Sequence, residues 1–350
     1  MYVRPVPAVR FGLAGVVAVV LCAMLLGAWE RYFRGVGARP ATVNSDALWA
    51  LQRERINQGE GDATVLIGSS RVLFDVQPAV WERLDGRRPI QLALEGTSAV
   101  PALENLAADT AFTGRLMVGV TPPIFFSGFA YRGKAIADAA TLTITARTGQ
   151  WLSMHLLEPV WAFLDPDFAL FTLLERQDWP ERPGVHVNIV VRKLSETQPD
   201  RTTRMWDRVV TDTVYRNLAR AIWAQNFGPP PGVTPAMQAK GEAAQLARAV
   251  AAVEKLKARG VHVLFVRLPI NGGYVEAEQR GFPRARTWDV LLARTGVQGV
   301  HFEDHPELQG YEIPEWSHLT GPEADRLTAA LHGVIARVDP GFVRRGAAER

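Results

Sequence analysis

Residues Phe11 to Trp29 form an unbroken run of 19 uncharged residues near the start of a 350-residue chain. At 1.5 Å per residue a helix over this run is roughly 28 Å long, close to the hydrocarbon thickness of a bilayer. A cleaved signal peptide usually has a shorter apolar region, so the run reads as a retained anchor, with cleavage as the alternative. Val20 and Leu21 precede Cys22 where a lipoprotein signal would have small residues. Arg4 and Arg10 on one side and Glu30, Arg31 and Arg34 on the other are nearly balanced, so charge alone does not orient the anchor. The expected organisation is a tail over 1–10, an anchor over 11–29, a polar tether over 30–62, and one large domain over 63–345.

Within that domain, short apolar runs alternate with helical patterns. Strands are expected at Thr64–Ile67, Pro89–Leu94, Arg115–Val120, His262–Leu268 and Val297–Phe302. Helices are expected at Pro78–Leu84, Val100–Ala108, Gly241–Arg259 and Arg326–Val338, the last opened by Gly321-Pro322-Glu323-Ala324-Asp325. Such alternation argues an α/β fold with a mainly parallel sheet covered on both faces. Between about 125 and 235 the rhythm breaks. The segment carries Trp151, Trp161, Trp179 and Gly228-Pro229-Pro230-Pro231-Gly232, with a helix-like stretch over Arg204–Gln225. Structureless loops of that length are uncommon in compact domains, so a helical insertion is expected, serving as lid, substrate wall or membrane-facing collar, or packing alone.

Two short stretches carry the chemistry. Gly68-Ser69-Ser70-Arg71 follows the buried run Val65-Leu66-Ile67, which would place Ser70 at the carboxyl end of a strand and the start of a helix. Open α/β sheets bind ligands at that edge, and free N–H groups there can hold an oxyanion. Ser is equally a good helix cap, so the segment alone does not decide. Near the C-terminus, Glu315 and His318 are three residues apart, a spacing that lets the carboxylate hold one ring nitrogen and leave the other free to accept a proton from a serine. His318 would lie in the loop before the final helix, freer to reach a strand tip than a histidine on a packed face.

Together, Gly68-Ser69-Ser70, Leu94-Glu95-Gly96-Thr97-Ser98 and Glu315-Trp316-Ser317-His318 resemble the blocks of the SGNH or GDSL hydrolases. The likeness is greatest to membrane-anchored members that act on cell-envelope polymers, such as the alginate O-acetylation and teichoic-acid D-alanylation proteins. The resemblance spans roughly Asp62 to Val338. It implies a three-layer, flavodoxin-like sandwich with Ser70 as nucleophile, His318 as general base and Glu315 orienting the histidine. It further implies an oxyanion hole from the N–H groups of Ser70 and Gly96. Three departures stand out: Ser69 replaces a frequent Asp, Glu315 replaces the usual Asp, and Gly119-Val120-Thr121 lacks the Asn of a Gly-x-Asn block. Thr121 or Asn271 would then supply the missing donor, although a turn explains Asn271 equally well.

The implied chemistry needs no cofactor or metal. Its partners would be a glycan or other acylated envelope polymer, the membrane, and, for a transferase, a membrane acyl-donor protein. The resemblance also implies a single-pass protein of the cytoplasmic membrane with its domain facing the periplasm or exterior. Arg71 is a candidate for binding an anionic substrate group, or for a salt bridge to Glu95. His301, Glu303, Asp304 and His305 can be read as metal ligands or as a solvated loop, and Asp165 and Asp167 as a helix start or a glycosidase-like carboxylate pair. Cys22 is the single cysteine, which excludes an intrachain disulfide. The net charge is +3 with the basic residues scattered, so nucleic-acid binding has no local footprint.

Overall fold

The computed structural model describes residues 11–177, 192–229 and 231–343. The tail over 1–10, Trp179, Pro230 and Arg344-Arg345 lie outside the described residues. The elements begin with α1 (Phe11–Gly35), α2 (Asp46–Glu54), β1 (Thr64–Ile67), α3 (Ser70–Asp75) and α4 (Pro78–Asp85). Then come β2 (Ile90–Gln91), α5 (Ala99–Ala108), β3 (Arg115–Gly119), α6 (Pro122–Ser127), α7 (Gly133–Asp138), α8 (Ile144–Leu152) and α9 (Leu170–Glu175). A hairpin of β4 (Ser195–Thr197) and β5 (Thr203–Met205) leads to α10 (Asp207–Thr211), α11 (Thr213–Ala224) and α12 (Pro235–Ala258). The chain closes with β6 (His262–Arg267), α13 (Gly273–Gly281), α14 (Trp288–Thr295), β7 (Gly299–His301) and α15 (Gly321–Val338).

The chain divides into two compact units, Met1–Val43 with Leu152–Pro180, and Asn44–Trp151 with Glu181–Arg350. The second is an α/β unit. Its five-stranded sheet runs β2-β1-β3-β6-β7, and every pairing is parallel. Parallel strands are buried on both faces, which is why β1 reads as continuous apolar sequence and is buried at all four positions. Val65, Ile67, Leu116, Val118, Val263 and Phe265 share one core with Leu103 and Leu106 of α5 and Val253 and Leu256 of α12. Leu66, Met117, Leu264 and Val266, of the opposite parity, are equally buried, and α15 packs against α3 and α4.

Two glycines let α3 come down onto the sheet. A Cβ on Gly68 would lie 2.5 Å from Val72 Cγ2, and one on Gly119 would lie 2.1 Å from the same atom. Only hydrogen fits at the two strand tips that flank the first turn of α3.

Several boundaries differ from the sequence reading for identifiable reasons. β2 covers only Ile90–Gln91, but Leu92 N–H and Leu94 N–H still donate to Leu66 and Gly68 carbonyls at 2.8 and 2.9 Å. The exposed edge of this strand is satisfied from the hairpin. Arg201, fully buried, donates to Gln91 O and Ala93 O at 2.9 and 2.8 Å. This covers carbonyls that an open edge would offer to another chain. α12 starts at Pro235 because Thr234 caps the Met237 N–H at 3.2 Å and Pro fits the first helical turn. The helix expected over 204–225 is interrupted at Asp212, whose carboxylate caps Val214 and Tyr215 N–H, each at 3.0 Å.

The stretch expected as a tether over 30–62 contains α2. Leu48 and Trp49 are fully buried, and Trp49 Nε1 donates to Leu92 O at 2.9 Å. The insertion is also not purely helical, since β4 and β5 pair antiparallel. Its residues Leu152–Pro180 group with the N-terminal helix.

In the first unit, α1 is long and apolar enough to cross a membrane, and none of its apolar window is buried. Cys22 is free and exposed on it. Past the apolar run, Glu30 and Phe33 are buried.

Candidate active site

The sheet's carboxyl edge gathers the loops after β1, β2, β3 and β6. Ser70 is the first helical residue of α3, and Ser69 is its N-cap residue in extended conformation. Neither hydroxyl acts as a cap. Ser69 Oγ lies 2.7 Å from Thr121 Oγ1 at the neighbouring strand tip. The half-buried Ser70 hydroxyl makes no hydrogen bond among the described residues. Its own N–H belongs to the first helical turn, whose donors have no intrahelical partners.

The loop 315–319 is organised around Glu315. One carboxylate oxygen accepts from His318 Nδ1 at 2.9 Å, from His318 N–H at 2.6 Å and from Ser317 N–H at 3.3 Å. The other accepts from Trp223 Nε1 of α11. Burial alone would push this carboxyl up, but the neighbouring His318 and the hydrogen bonds from His318 and Trp223 outweigh it and hold it below the usual carboxylate range. A carboxylate so held fixes the ring and its tautomer, with the proton on Nδ1 and the lone pair on Nε2. His318 Nε2 is buried and has no hydrogen-bond partner among the described residues.

Three contacts bring this loop to α3. Phe74 stacks on the His318 ring at 4.3 Å between centroids. Arg71 Nε donates to Ser317 Oγ at 3.2 Å. Asp75 Oδ1 accepts the Leu319 N–H at 2.9 Å. Residues four apart on a helix share a face, so Phe74 places the imidazole against the face that carries Ser70 one turn earlier. Ser70 Oγ and His318 Nε2 are not hydrogen-bonded to each other in this structure. Nucleophile and base often close their hydrogen bond only around a substrate.

Trp316 has φ 77°, in the left-handed region, which costs a bulky side chain of order ~1–3 kcal/mol. Its indole packs where a Cβ on Gly272 would come within 2.3 Å, and the Arg220 guanidinium sits 5.4 Å from its centroid. The backbone turn strained at this position puts Glu315 and His318 on one side of the loop.

Arg71 does not pair with Glu95, which instead holds Asn44 at 2.5 Å and Arg132 at 3.1 Å. It pairs with Glu278 of α13 at 2.8 Å and lies 4.9 Å from the Tyr274 ring centroid. Glu278 also pairs with Arg267, and all three charged side chains are buried. The guanidinium thus holds Ser317 through Nε and Glu278 through Nη2, while its Nη1 is buried with no hydrogen-bond partner among the described residues. Burial pushes Asp75 up to about 7, partly offset by His318.

The expected oxyanion donors stand differently. Gly96 follows β2 with φ 54°, and its N–H is not hydrogen-bonded among the described residues. The Thr121 hydroxyl is shared with Ser69. Asn271 is tied to the histidine loop, its N–H donating to Trp316 O at 3.2 Å, while its Oδ1 is buried without a partner among the described residues. Among the described residues no group of three metal-ligating side chains converges. Burial, then Arg267 and Arg284, push the His301 imidazole down to about 3, and Asp304 is held by Arg284 at 2.7 Å. Asp165 accepts the Asp167 N–H at 2.9 Å and so opens a short helical turn.

Phe74, Asp75, Trp223 and Glu278 were not apparent from sequence. Phe74 had a usable signal, being four residues after Ser70 on a helical pattern, and Asp75 ends the apolar run Val72-Leu73-Phe74. Trp223 and Glu278 arrive from distant helices and had none. No protein-family model matches the chain, and no curated protein matches it significantly.

Asp75 makes the site pH-sensitive in a defined direction. Folded Asp75 keeps its proton to about 7, whereas the unfolded residue releases it near 3.8, so the folded state binds more protons in that window. Stability therefore falls as pH rises from 3.8 to about 7. Asp75→Asn keeps an acceptor for Leu319 and removes the titration. Urea denaturation of the detergent-solubilised protein is expected to show a flatter pH profile for the variant, differing by on the order of 4 kcal/mol across the window. Parallel profiles would contradict this.

Proposed function

We propose that this protein is a membrane-anchored serine esterase or O-acyltransferase acting on ester-linked acyl groups, acetyl foremost, of an extracytoplasmic glycan or other envelope polymer. The observation that carries it is His318. Its Nδ1 is fixed by a buried carboxylate, its Nε2 is free, and its ring is stacked one helical turn from an unpartnered serine at a parallel sheet's carboxyl edge. Taken in chain order, the parallel strands run 2-1-3-4-5, the order of flavodoxin-like sheets, which supports the SGNH-type three-layer reading. The apolar α1 supports a single-pass anchor; in this reading the anchor lies in the cytoplasmic membrane and the domain faces outward.

In this mechanism Ser70 Oγ attacks the acyl carbonyl carbon while His318 Nε2 takes the hydroxyl proton. The N–H groups of Ser70 and Gly96 hold the oxyanion, and the alcohol leaves with the proton from His318. Water or a sugar hydroxyl then gives its proton to His318 and attacks the acyl-enzyme, restoring Ser70. Glu315 stabilises the imidazolium throughout. A transfer reaction would draw its acyl group from a membrane donor protein.

Thr121 in place of a side-chain amide favours a second reading, a noncatalytic envelope protein that binds glycan or an assembly partner. Losing one oxyanion donor costs about 2.7–4 kcal/mol of transition-state stabilisation. Turnover of a chromogenic acetyl ester, measured with and without a sugar acceptor, separates the readings. Hydrolysis alone indicates an esterase, acceptor-dependent turnover a transferase, and no turnover by folded protein the binding protein. Trp223→Phe removes one hydrogen bond to a charged carboxylate, worth ~1.5–3 kcal/mol. It is expected to lower kcat by about 10- to 100-fold with KM unchanged in steady-state assays.

A further inference from the structure

Residues 160–168 are clamped to the last turns of α1, just beyond its apolar run. Glu30 accepts the Ala162 and Phe163 N–H groups at 3.0 Å each, and Arg34 donates to Val160 O at 2.7 Å. Trp29 Nε1 donates to Phe168 O at 3.2 Å, and Phe33 stacks on Phe168 at 4.7 Å. On either side of this clamp, large apolar side chains are left uncovered. Leu156 and Leu157 are 59% and 49% exposed, and Leu170, Phe171 and Leu174 are 54%, 78% and 42% exposed. The last three recur at i, i+1 and i+4, so they share one face of α9. Trp161 lies between these groups, 39% exposed.

We propose that residues 152–175 form an interfacial element seated in the headgroup region of the bilayer that α1 enters, and that lipid is what covers these side chains. The proposal rests on reading α1 as membrane-crossing. Continuity chooses lipid over a protein partner, because the exposed apolar surface of α1 runs to the turn where the clamp begins. From Trp29 to Arg34 is about 7 Å along a helix, and interfacial elements bury their apolar faces by about 5–10 Å. Trp and Tyr favour this depth, and Trp161 and the exposed Tyr32 fall within this unit.

The test uses the full chain with Cys22→Ser, reconstituted in phosphatidylethanolamine and phosphatidylglycerol vesicles. Single nitroxide labels are placed at Leu157→Cys, Phe171→Cys, Val19→Cys in α1, and Val214→Cys, an exposed apolar position in the other unit. Collision with oxygen is compared with collision with a water-soluble nickel chelate. Labels at 157 and 171 are expected to favour oxygen several-fold over the label at 214. If they collide with nickel as freely as 214 while 19 favours oxygen, the interfacial element is refuted and the anchor stands. If they exclude both reagents, a protein surface covers them and the proposal fails. If 19 itself favours nickel, the membrane reading beneath it fails. The two sites are independent, so a variant that misfolds leaves the other to decide.

Discussion

Ser70→Ala is expected to reduce acetyl-ester turnover by about 10⁴–10⁶-fold, and His318→Ala by a similar factor. The two together should be no worse than either alone, because nucleophile and base act as one unit. Folding should be little affected by the serine change, since the hydroxyl is half-buried and forms no hydrogen bond among the described residues. Steady-state kinetics on the single and double variants check this, with denaturation curves run beside them. A serine variant that keeps a tenth of the activity would assign the chemistry to another group.

Glu278→Ala is expected to be the most damaging substitution for stability. It leaves Arg71 and Arg267 as two buried guanidinium groups facing each other without their shared carboxylate. Removing one partner of a buried ion pair costs ~3–5 kcal/mol. The loss should also reach the histidine loop, because Arg71 holds Ser317. Urea denaturation of the solubilised protein measures the first effect. A change below ~1 kcal/mol would mean that the two cations are solvated or paired elsewhere.

The α/β class, the parallel strands and the presence of an apolar helix were legible in sequence because each rests on a local pattern, although α1 continues past Trp29 to Gly35. β1, β3 and β6 are short apolar runs, and buried parallel strands have that signature whatever surrounds them. The Glu315–His318 pair was legible for the same reason, since a spacing of three puts the two side chains within reach on one turn. Whatever depended on long-range packing was not. Trp49 looks like part of a polar tether until Leu92 O is seen to accept its indole N–H. Arg71 has Glu95 as a plausible partner at an adjacent strand tip, yet its partner arrives from α13, more than 200 residues away in sequence. Trp223 lies in the insertion, where nothing local connects it to a carboxylate 92 residues later. The oxyanion donors fell between these cases. Gly96 and Thr121 are at the expected edge, but the Thr121 hydroxyl was already taken by Ser69.

The proposed activation of the Ser70 hydroxyl by His318 is tested most directly by mapping a covalent adduct. The folded, detergent-solubilised protein is treated with a fluorophosphonate, digested, and its modified peptide identified by mass spectrometry. The expected result is a single adduct on Ser70, absent from His318→Ala and slowed in Glu315→Gln. An adduct on another residue, or equal labelling of Ser70 with and without His318, would contradict it.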